Sequence, residues 1–256
     1  VAAPEGRVEE VAAIIDAEPG VNHSYLRENA WNLWFVVTGP DRGHVGATLA
    51  RIRQRSGLRV LDLPLVRPFN LDLGFSLRGG TGARPAPPPP DMSVLRPGDR
   101  EIVGTLLRGL PLTERPYAEI GASLGLDMDA VIARIRVLVA ARIIARLGVI
   151  VRHRALGWRS NAMVVWDLPS AAIDTAGPVL AAQPGVTLCY ERAPVEGVWP
   201  YRLYSMIHAR SRAEALAHLE AAAAHPELRG APHLALFSSH CFKQTGAMVA
   251  RERSPA

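Results

Sequence analysis

The first 78 residues carry a hydrophobic pattern that changes between helical spacing and the alternation of strands. Apolar residues recur at helical spacing from Val8 to Ile15, and Pro19-Gly20 ends that stretch. Residues 1–4 before it are typical of the end of a strand. The later predicted elements are strands over 21–27 and 31–37, a helix over 47–53 ended by Gly57, and an irregular strand over 58–71. This order, (β)αββαβ with its first strand missing, predicts a ferredoxin-like module.

Residues 79–95 separate this module from a helical region. They are rich in glycine and then in proline, a composition typical of an extended, semi-rigid linker. The pattern that follows predicts three helices and a trailing strand, over 97–107, 117–126, 129–147 and 149–154. Three helices with a glycine-containing turn and a following strand predict a winged helix-turn-helix over 96–152.

The remainder of the chain predicts a second, complete ferredoxin-like module over 153–250. Its predicted elements are strands over 161–168, 186–192, 200–208 and 232–238, with helices over 171–182 and 212–224. The predicted fold class is therefore α+β, with one winged helix-turn-helix between two ferredoxin-like βαββαβ modules over 1–78 and 153–250. We expect the two sheets to face each other within the chain, because each keeps an apolar face after its helices have packed.

The two modules share one motif, repeated at a spacing far longer than that of a solenoid. The matching segments are 18–27 (EPGVNHSYLR) and 183–192 (QPGVTLCYER). Tyr25 therefore aligns with Tyr190, and Arg27 aligns with Arg192. Alternate residues of a strand share a face, so His23, Tyr25 and Arg27 are expected to project together. An apolar core does not need an arginine on that face, whereas a site that binds carboxylates does.

A basic triplet, Arg152-His153-Arg154, follows the predicted wing. Strand alternation places Arg152 and Arg154 on one face and His153 on the other, so only one of these sets faces a given pocket. The alternative interpretation is a solvated basic strand.

His208 ends an otherwise apolar strand of the second module. It is either a hydrogen-bonded structural histidine or a residue that titrates near neutrality and transfers protons. Trp199 and Tyr201 follow a predicted turn; they are either core residues or the flat wall that a macrocycle requires.

Composition limits the class of protein. The formal net charge is +5, but Lys243 is the only lysine, so nearly all the basic charge is arginine, the side chain best suited to forked contacts with carboxylates. Cys189 and Cys241 are too few for a disulfide framework, which fits a reducing cytoplasm. We find neither a secretory signal nor an apolar run that could cross a membrane. No paired ligand spacing of the zinc-binding kind occurs, so no metal site is expected.

DNA binding is the usual function of a helix-turn-helix, whose third helix enters the major groove by its N-terminal end. In this chain that end carries Asp127 and Asp129, of which Asp129 is predicted to cap the helix. Two carboxylates repel phosphates, although Arg134 and Arg136 lie one turn further on. The sequence therefore retains the fold but does not favour DNA binding.

Several strings of this chain resemble the Lrp/AsnC regulator family and, more narrowly, the sirohaem decarboxylases, Lrp-like enzymes whose two homologous subunits are sometimes fused in one chain. The strings are PGVNHSYLR (19–27), NLWF (32–35), RHRALG (152–157), CYER (189–192), WPY (199–201) and MIH (206–208). The resemblance covers nearly the whole chain except the linker. The chain differs from the family at Glu28-Asn29-Ala30, where members often carry a second histidine.

The resemblance implies removal of carbon dioxide from two acetate side chains of sirohaem, giving didecarboxysirohaem for d-type haem or for an alternative haem pathway. It implies no separate cofactor, because the iron-containing substrate provides its own electron sink. The implied partner is a homologous module in the same chain or a homologous subunit. A DNA-binding regulator and an inactive tetrapyrrole-binding protein are the alternatives. The implied catalytic residues are His153, His208, His23 and Tyr190, and the implied substrate-binding residues are Arg152, Arg154, Arg192, Trp199, Tyr201, Tyr25, Arg27 and Lys243.

Overall fold

The computed structural model describes residues 1–70, 88–145, 147–148 and 157–246. The strand predicted over 149–154 lies outside these ranges, as does most of the predicted linker. The first module contains α1 (Val8–Asp16), β1 (Val21–Arg27), β2 (Leu33–Val37), α2 (Arg42–Ser56) and β3 (Leu65–Asn70).

The backbone of Val1 exchanges two hydrogen bonds with Leu33 of β2, at 2.9 and 3.0 Å. The start of the chain therefore lies where a ferredoxin-like module has its first strand, as the pattern predicts. Gly57 ends α2 in the left-handed conformation, with φ of 68°, which is the predicted stop.

Three helices form the central domain: α3 (Asp99–Arg108), α4 (Pro116–Leu124) and α5 (Met128–Ala140). The predicted cap of α5 is wrong by two residues: Asp127, in extended conformation, accepts from the Ala130 N–H at 2.7 Å, and Asp129 lies in the first turn. The predicted end at 147 is also wrong. Arg142 adopts a positive φ of 60°, and the chain turns so that Ile144 joins the core of the domain.

The second module contains β4 (Ser160–Trp166), α6 (Ile173–Ala181), β5 (Val186–Arg192), β6 (Leu203–Ala209), α7 (Arg212–Ala223) and β7 (His233–Gln244). Its strands lie in the order β7-β4-β6-β5, all neighbours antiparallel, which is the ferredoxin-like arrangement. The prediction of an α+β fold is confirmed. One difference matters for the site: β7 does not end near Ser238, as predicted, but continues to Gln244.

The extra length of β7 joins the modules. Its first half pairs with β4 of its own module, with Leu236 opposite Met163, and its second half pairs with β1 of the first module, with His240 opposite Leu26. In the same way, β3 of the first module pairs with β5 of the second. The result is one seven-stranded sheet in the order β2-β1-β7-β4-β6-β5-β3.

Three apolar clusters fill the two modules. One lies beneath α1 and α2, and a second lies beneath α6 and α7. The third contains no helix residue: side chains from the helix-free face of the second module, including Met206 and Tyr204, pack with Trp31, Trp34 and Leu63 of the first. The predicted meeting of the two sheet faces is therefore observed.

Phe69 of β3 shows how tightly the exchanged strand fits, because its ring packs over Gly177 of α6, where a Cβ atom would overlap it. We expect Gly177→Ala to displace Phe69 and lower the free energy of unfolding by about 1–3 kcal/mol. The measurement is urea denaturation, with Gly104→Ala in α3 as the matched control. An added Cβ at Gly104 would make only an ordinary van der Waals contact, with Nη1 of Arg108 at 4.0 Å, so helix propensity should make that variant neutral or stabilised by up to about 1 kcal/mol. Equal stability of the two variants would contradict the packing described.

Candidate active site

The third apolar cluster has an aromatic centre where the modules meet. The rings of Trp34 and Trp199 lie 5.3 Å apart, and Tyr201 contacts Trp199 edge-on at 4.8 Å. The Trp199 indole N–H donates to the Tyr204 hydroxyl at 2.8 Å, which satisfies its only polar group. Trp199 is buried and Tyr201 is half-buried, so Tyr201 presents more of its ring to a molecule beside the cluster.

The three motif residues of β1 lie together on the helix-free face, as predicted. The rings of His23 and Tyr25 are stacked with centroids 6.3 Å apart, and the Arg27 guanidinium lies 5.3 Å from the Tyr25 centroid. Nδ1 of His23 is 2.7 Å from the side-chain oxygen of Asn22, and burial lowers the pKa of His23 below its usual value. Neutral imidazole is therefore its favoured form near pH 7.

Arg27 does not stay within its own module. Its Nη1 donates to the backbone oxygen of Leu236 at 3.1 Å, and its Nη2 lies 3.9 Å from Sδ of Met206, both in the second module. The side chain is buried, and its Nε has no hydrogen-bond partner among the residues that the structure describes. Burial lowers the pKa of Arg27 to about 10, opposed only partly by the neighbouring phenols of Tyr190 and Tyr25. In the part of the chain that the structure describes, no carboxylate contacts this buried guanidinium.

The second copy of the motif repeats this geometry. The Arg192 guanidinium lies 4.9 Å from the Tyr190 centroid and 5.9 Å from that of Tyr204, and its Nη1 donates to the Leu63 backbone oxygen at 2.6 Å. Each arginine thus crosses from its own module to a backbone carbonyl of the other. Arg192 is less buried than Arg27, so the two positions are related but not equivalent.

His208 lies on the same face of β6 as Met206 and is also buried. Its Nδ1 is 2.8 Å from Oγ1 of Thr187 on β5, and its Nε2 is 3.0 Å from the side-chain nitrogen of Asn161 on β4. Asn161 and Thr187 were not predicted as site residues. Their sequence signal is a polar residue within each of two otherwise apolar strands, and it does not indicate the histidine on the neighbouring strand.

The remaining predicted residues divide into two groups. Nζ of Lys243 donates to the backbone oxygen of Asp16 at 2.7 Å, so it caps the end of α1. Arg152, His153 and Arg154 lie outside the described residues. Their implied roles, like that of Lys243, remain predictions.

The described segments contain no grouping of three or more His, Cys, Asp or Glu side chains suited to a metal ion. Within the same ranges, no helix combines the length and the apolar character needed to span a bilayer. Where the family pattern often has a second histidine, Glu28 instead accepts two hydrogen bonds from Nη1 of Arg212, at 2.8 and 2.9 Å, and so ties β1 to α7.

The pKa of Tyr25 reports whether water reaches this face, because burial of the side chain raises that pKa to about 12. The folded protein should keep this proton between pH 10 and 12, whereas the unfolded chain releases it near its usual pKa of about 10. The stability contributed by Tyr25 is therefore fully present below pH 10 and decreases as the pH rises towards 12. Phenolate absorbance of the wild type minus that of Tyr25→Phe should show a midpoint near 12. A midpoint near 10 would mean that water reaches the ring.

Comparison with protein families divides the chain as the structure does. The model of the AsnC-like ligand binding domain matches residues 1–70 and 155–243, one segment in each module. The model of the siroheme decarboxylase NirDL-like HTH domain matches residues 99–144, which include α3 to α5.

Individual relatives agree with this division. A siroheme decarboxylase NirDL subunit of Paracoccus pantotrophus is 56% identical over 248 residues, covering 96% of this chain and 76% of that protein. The corresponding subunit of Paracoccus denitrificans (strain Pd 1222) is 54% identical over 247 residues, with the same two coverages. A crystal structure of the siroheme decarboxylase NirDL in co-complex with an iron-uroporphyrin III analogue superposes with a TM-score of 0.62 at 26% identity, covering 96% of this chain and 72% of that one. The chain therefore belongs to the siroheme decarboxylase NirDL family.

Proposed function

We propose that this protein is a carboxy-lyase that removes carbon dioxide from two acetate side chains of sirohaem, giving didecarboxysirohaem. Its family membership supports the activity. The observation that carries the proposal within this chain is Arg27, a buried guanidinium without a carboxylate partner among the described residues. A buried cation requires an anion, and each carboxylate of sirohaem is one.

The chemistry follows from the substrate. When an acetate loses carbon dioxide, the carbon–carbon bond breaks and its electron pair must move into the macrocycle, either directly or into the cationic pyrrole that protonation of a ring carbon creates. A proton must then reach the remaining carbon, which becomes a methyl group. The macrocycle is the electron sink, so the reaction needs no organic cofactor. The protein has to hold the carboxylates, exclude water and supply protons.

Arginine suits the first of these tasks, because its planar fork binds a carboxylate through two hydrogen bonds. Arg27 and Arg192 each lie against a tyrosine ring, and each uses one donor on a carbonyl of the opposite module. Each keeps further N–H groups for substrate. We propose that these arginines bind acetate or propionate groups from opposite sides of the meeting faces, with Tyr201 and Trp199 beside the macrocycle.

Proton transfer is the task of the histidines in this proposal. His208 lies in the second module, next to Met206, whose sulfur contacts Arg27. His23 is the candidate in the first module; it lies on β1 and aligns with Leu188 of the repeated motif, not with His208. Tyr190 is a further candidate to orient or relay the proton. The basic triplet that contains His153 stays a candidate on the strength of the family resemblance alone.

The regulator alternative is weakened by the central domain. Arg134, one turn into α5, makes an ion pair with Asp99 at 2.5 Å and also donates to the Val94 backbone oxygen, so it is not available to a phosphate. The beginning of the helix presents Asp127 and Asp129. Arg134 therefore holds the helices of this domain together, whereas Arg136 on the same helix is exposed.

The decisive experiment is anaerobic incubation of the purified chain with sirohaem, followed by mass analysis. The proposal expects a product that has lost two carboxyl groups as carbon dioxide. Binding of sirohaem without any such loss would favour an inactive tetrapyrrole-binding protein. Absence of both binding and turnover would reject the proposal.

Replacing Arg27 separates a binding role from a structural one. Arg27→Met removes a buried cation but keeps an apolar chain of similar length, so the free energy of unfolding should be unchanged or higher by about 1 kcal/mol. Affinity for sirohaem should fall at least about tenfold, the effect of losing one charge-assisted hydrogen bond. Arg27→Lys should restore the positive charge but not the planar guanidinium that binds a carboxylate through two hydrogen bonds.

The matched control for Arg27 is Ser205→Ala, which removes a buried hydroxyl on the helix side of β6 that has no hydrogen-bond partner within the described ranges. It should leave both stability and affinity nearly unchanged. If Arg27→Met lost much of its stability but kept wild-type affinity for sirohaem, Arg27 would be a structural link between the modules rather than a substrate-binding residue.

DNA titration tests the regulator alternative. We expect weak, sequence-independent binding at physiological salt, with Kd of about 10⁻⁴ to 10⁻⁶ M, because two carboxylates lie at the start of α5 and Arg134 is occupied. The measurement is fluorescence anisotropy with mixed-sequence duplexes across salt concentrations. Selective binding of one sequence in the nanomolar range would overturn this expectation.

A further inference from the structure

Four strands contribute one polar side chain each to a connected network around His208. Ser238 of β7 donates to the side-chain oxygen of Asn161 on β4 at 3.4 Å, and the Asn161 amide nitrogen lies 3.0 Å from Nε2 of His208. On the other side of the ring, Nδ1 lies 2.8 Å from Thr187 Oγ1, and that hydroxyl is 3.2 Å from the backbone oxygen of Met206. Asn161, Thr187 and His208 are buried, and Ser238 is half-buried at the edge of the network.

The directions of these hydrogen bonds determine where the imidazole carries its proton. An amide nitrogen only donates, so with the Asn161 amide in this orientation Nε2 accepts from it. The Thr187 hydroxyl directs its single proton to the Met206 carbonyl, so its oxygen accepts from an N–H at Nδ1. This arrangement describes a neutral His208 in the Nδ1–H form. Both of these ring partners are uncharged.

A second proton on His208 would conflict with this arrangement. It would place an N–H at Nε2 against the N–H groups of Asn161, 3.0 Å away. The conflict disappears if the Asn161 amide turns over, because its oxygen then accepts from Nε2 and its nitrogen then donates to Ser238. A hydroxyl accepts as readily as it donates, so Ser238 satisfies either orientation. The same four side chains thus accommodate both protonation states with little movement of their heavy atoms.

The network adjoins the proposed carboxylate site. Met206 is the shared neighbour: its carbonyl accepts from Thr187, and its sulfur lies 3.9 Å from Nη2 of Arg27. His208 can be either neutral or doubly protonated, and it lies close to Arg27, the proposed carboxylate-binding residue. It is therefore placed to deliver a proton to the carbon from which carbon dioxide has left.

We propose that Asn161 is a positioning residue that holds neutral His208 in the Nδ1–H form and, by turning its amide, accepts the doubly protonated ring. Thr187 fixes the opposite side of the ring. This inference rests on the proposed function for its catalytic meaning, but the state of the ring can be measured without turnover.

The first measurement is a long-range ¹⁵N–¹H NMR spectrum of the full-length protein labelled in histidine, with the His208 signals assigned by their loss in His208→Gln. We expect a protonated Nδ1 and an unprotonated Nε2 in the wild type at neutral pH. In Asn161→Asp the carboxylate cannot donate to Nε2, so the proton should move to Nε2. A wild-type ring protonated at Nε2 alone, or an Asn161→Asp ring that keeps the wild-type pattern, would overturn the proposal.

The second measurement is turnover. Asn161→Leu, which cannot direct the ring, should lower kcat at least about tenfold, while KM changes less than about twofold, since substrate contacts remain. Thr187→Val should act in the same direction, and Thr187→Ser, which keeps the hydroxyl, should recover most of the loss. Ser205→Ala on the opposite face of β6 is the control for a buried polar deletion and should keep wild-type kcat.

The outcomes of the two measurements are distinct. Wild-type kcat in Asn161→Leu and Thr187→Val would reject the positioning role whatever the spectrum shows. If Asn161→Leu fails to fold, the Thr187 pair and the spectrum of Asn161→Asp still decide the matter. A wild-type protein that fails to release carbon dioxide would reject the proposed function, whereas the spectrum alone decides whether Asn161 sets the state of the ring.

Discussion

Reciprocal strand exchange is the constraint on which the rest of this structure depends. Each module contributes one strand to the other. Strand β3 of the first module pairs with β5 of the second, and the second half of β7 pairs with β1 of the first module. Backbone hydrogen bonds of a sheet edge are strong and directional, so these two pairings set the register of one module against the other. The helix-free faces are thereby brought together, and their aromatic residues form a shared cluster rather than two exposed surfaces.

The candidate site inherits its character from this arrangement. Arg27 contacts carbonyl and sulfur atoms of the second module, and Arg192 contacts a carbonyl of the first, so neither arginine would have the same surroundings in an isolated module. The cost of burying Arg27 falls on the folded protein. A buried cation that lowers stability is typical of a binding site, which is the role proposed for Arg27.

Local pattern predicted the elements well, because helical and alternating spacing are properties of short segments. It also predicted that His23, Tyr25 and Arg27 share a face, since alternation alone decides that. It did not predict the extension of β7 or its change of partner, because strand pairing depends on residues more than 200 positions away, such as Leu26 and His240. The hydrogen bonds of Asn161 and Thr187 to His208 have the same origin: periodicity tells which face a residue occupies, but not what lies beside it.

The fusion of both modules in one chain has a consequence for concentration. Two separate subunits that exchanged strands in this way would be in equilibrium with monomers, and dilution would separate them. In a single chain the second module is present to the first at an effective concentration that is set by the connecting segment and does not change on dilution. The shared aromatic cluster and both arginine contacts should therefore persist at any protein concentration found in a cell. Their loss would require unfolding of the exchanged strands rather than dissociation.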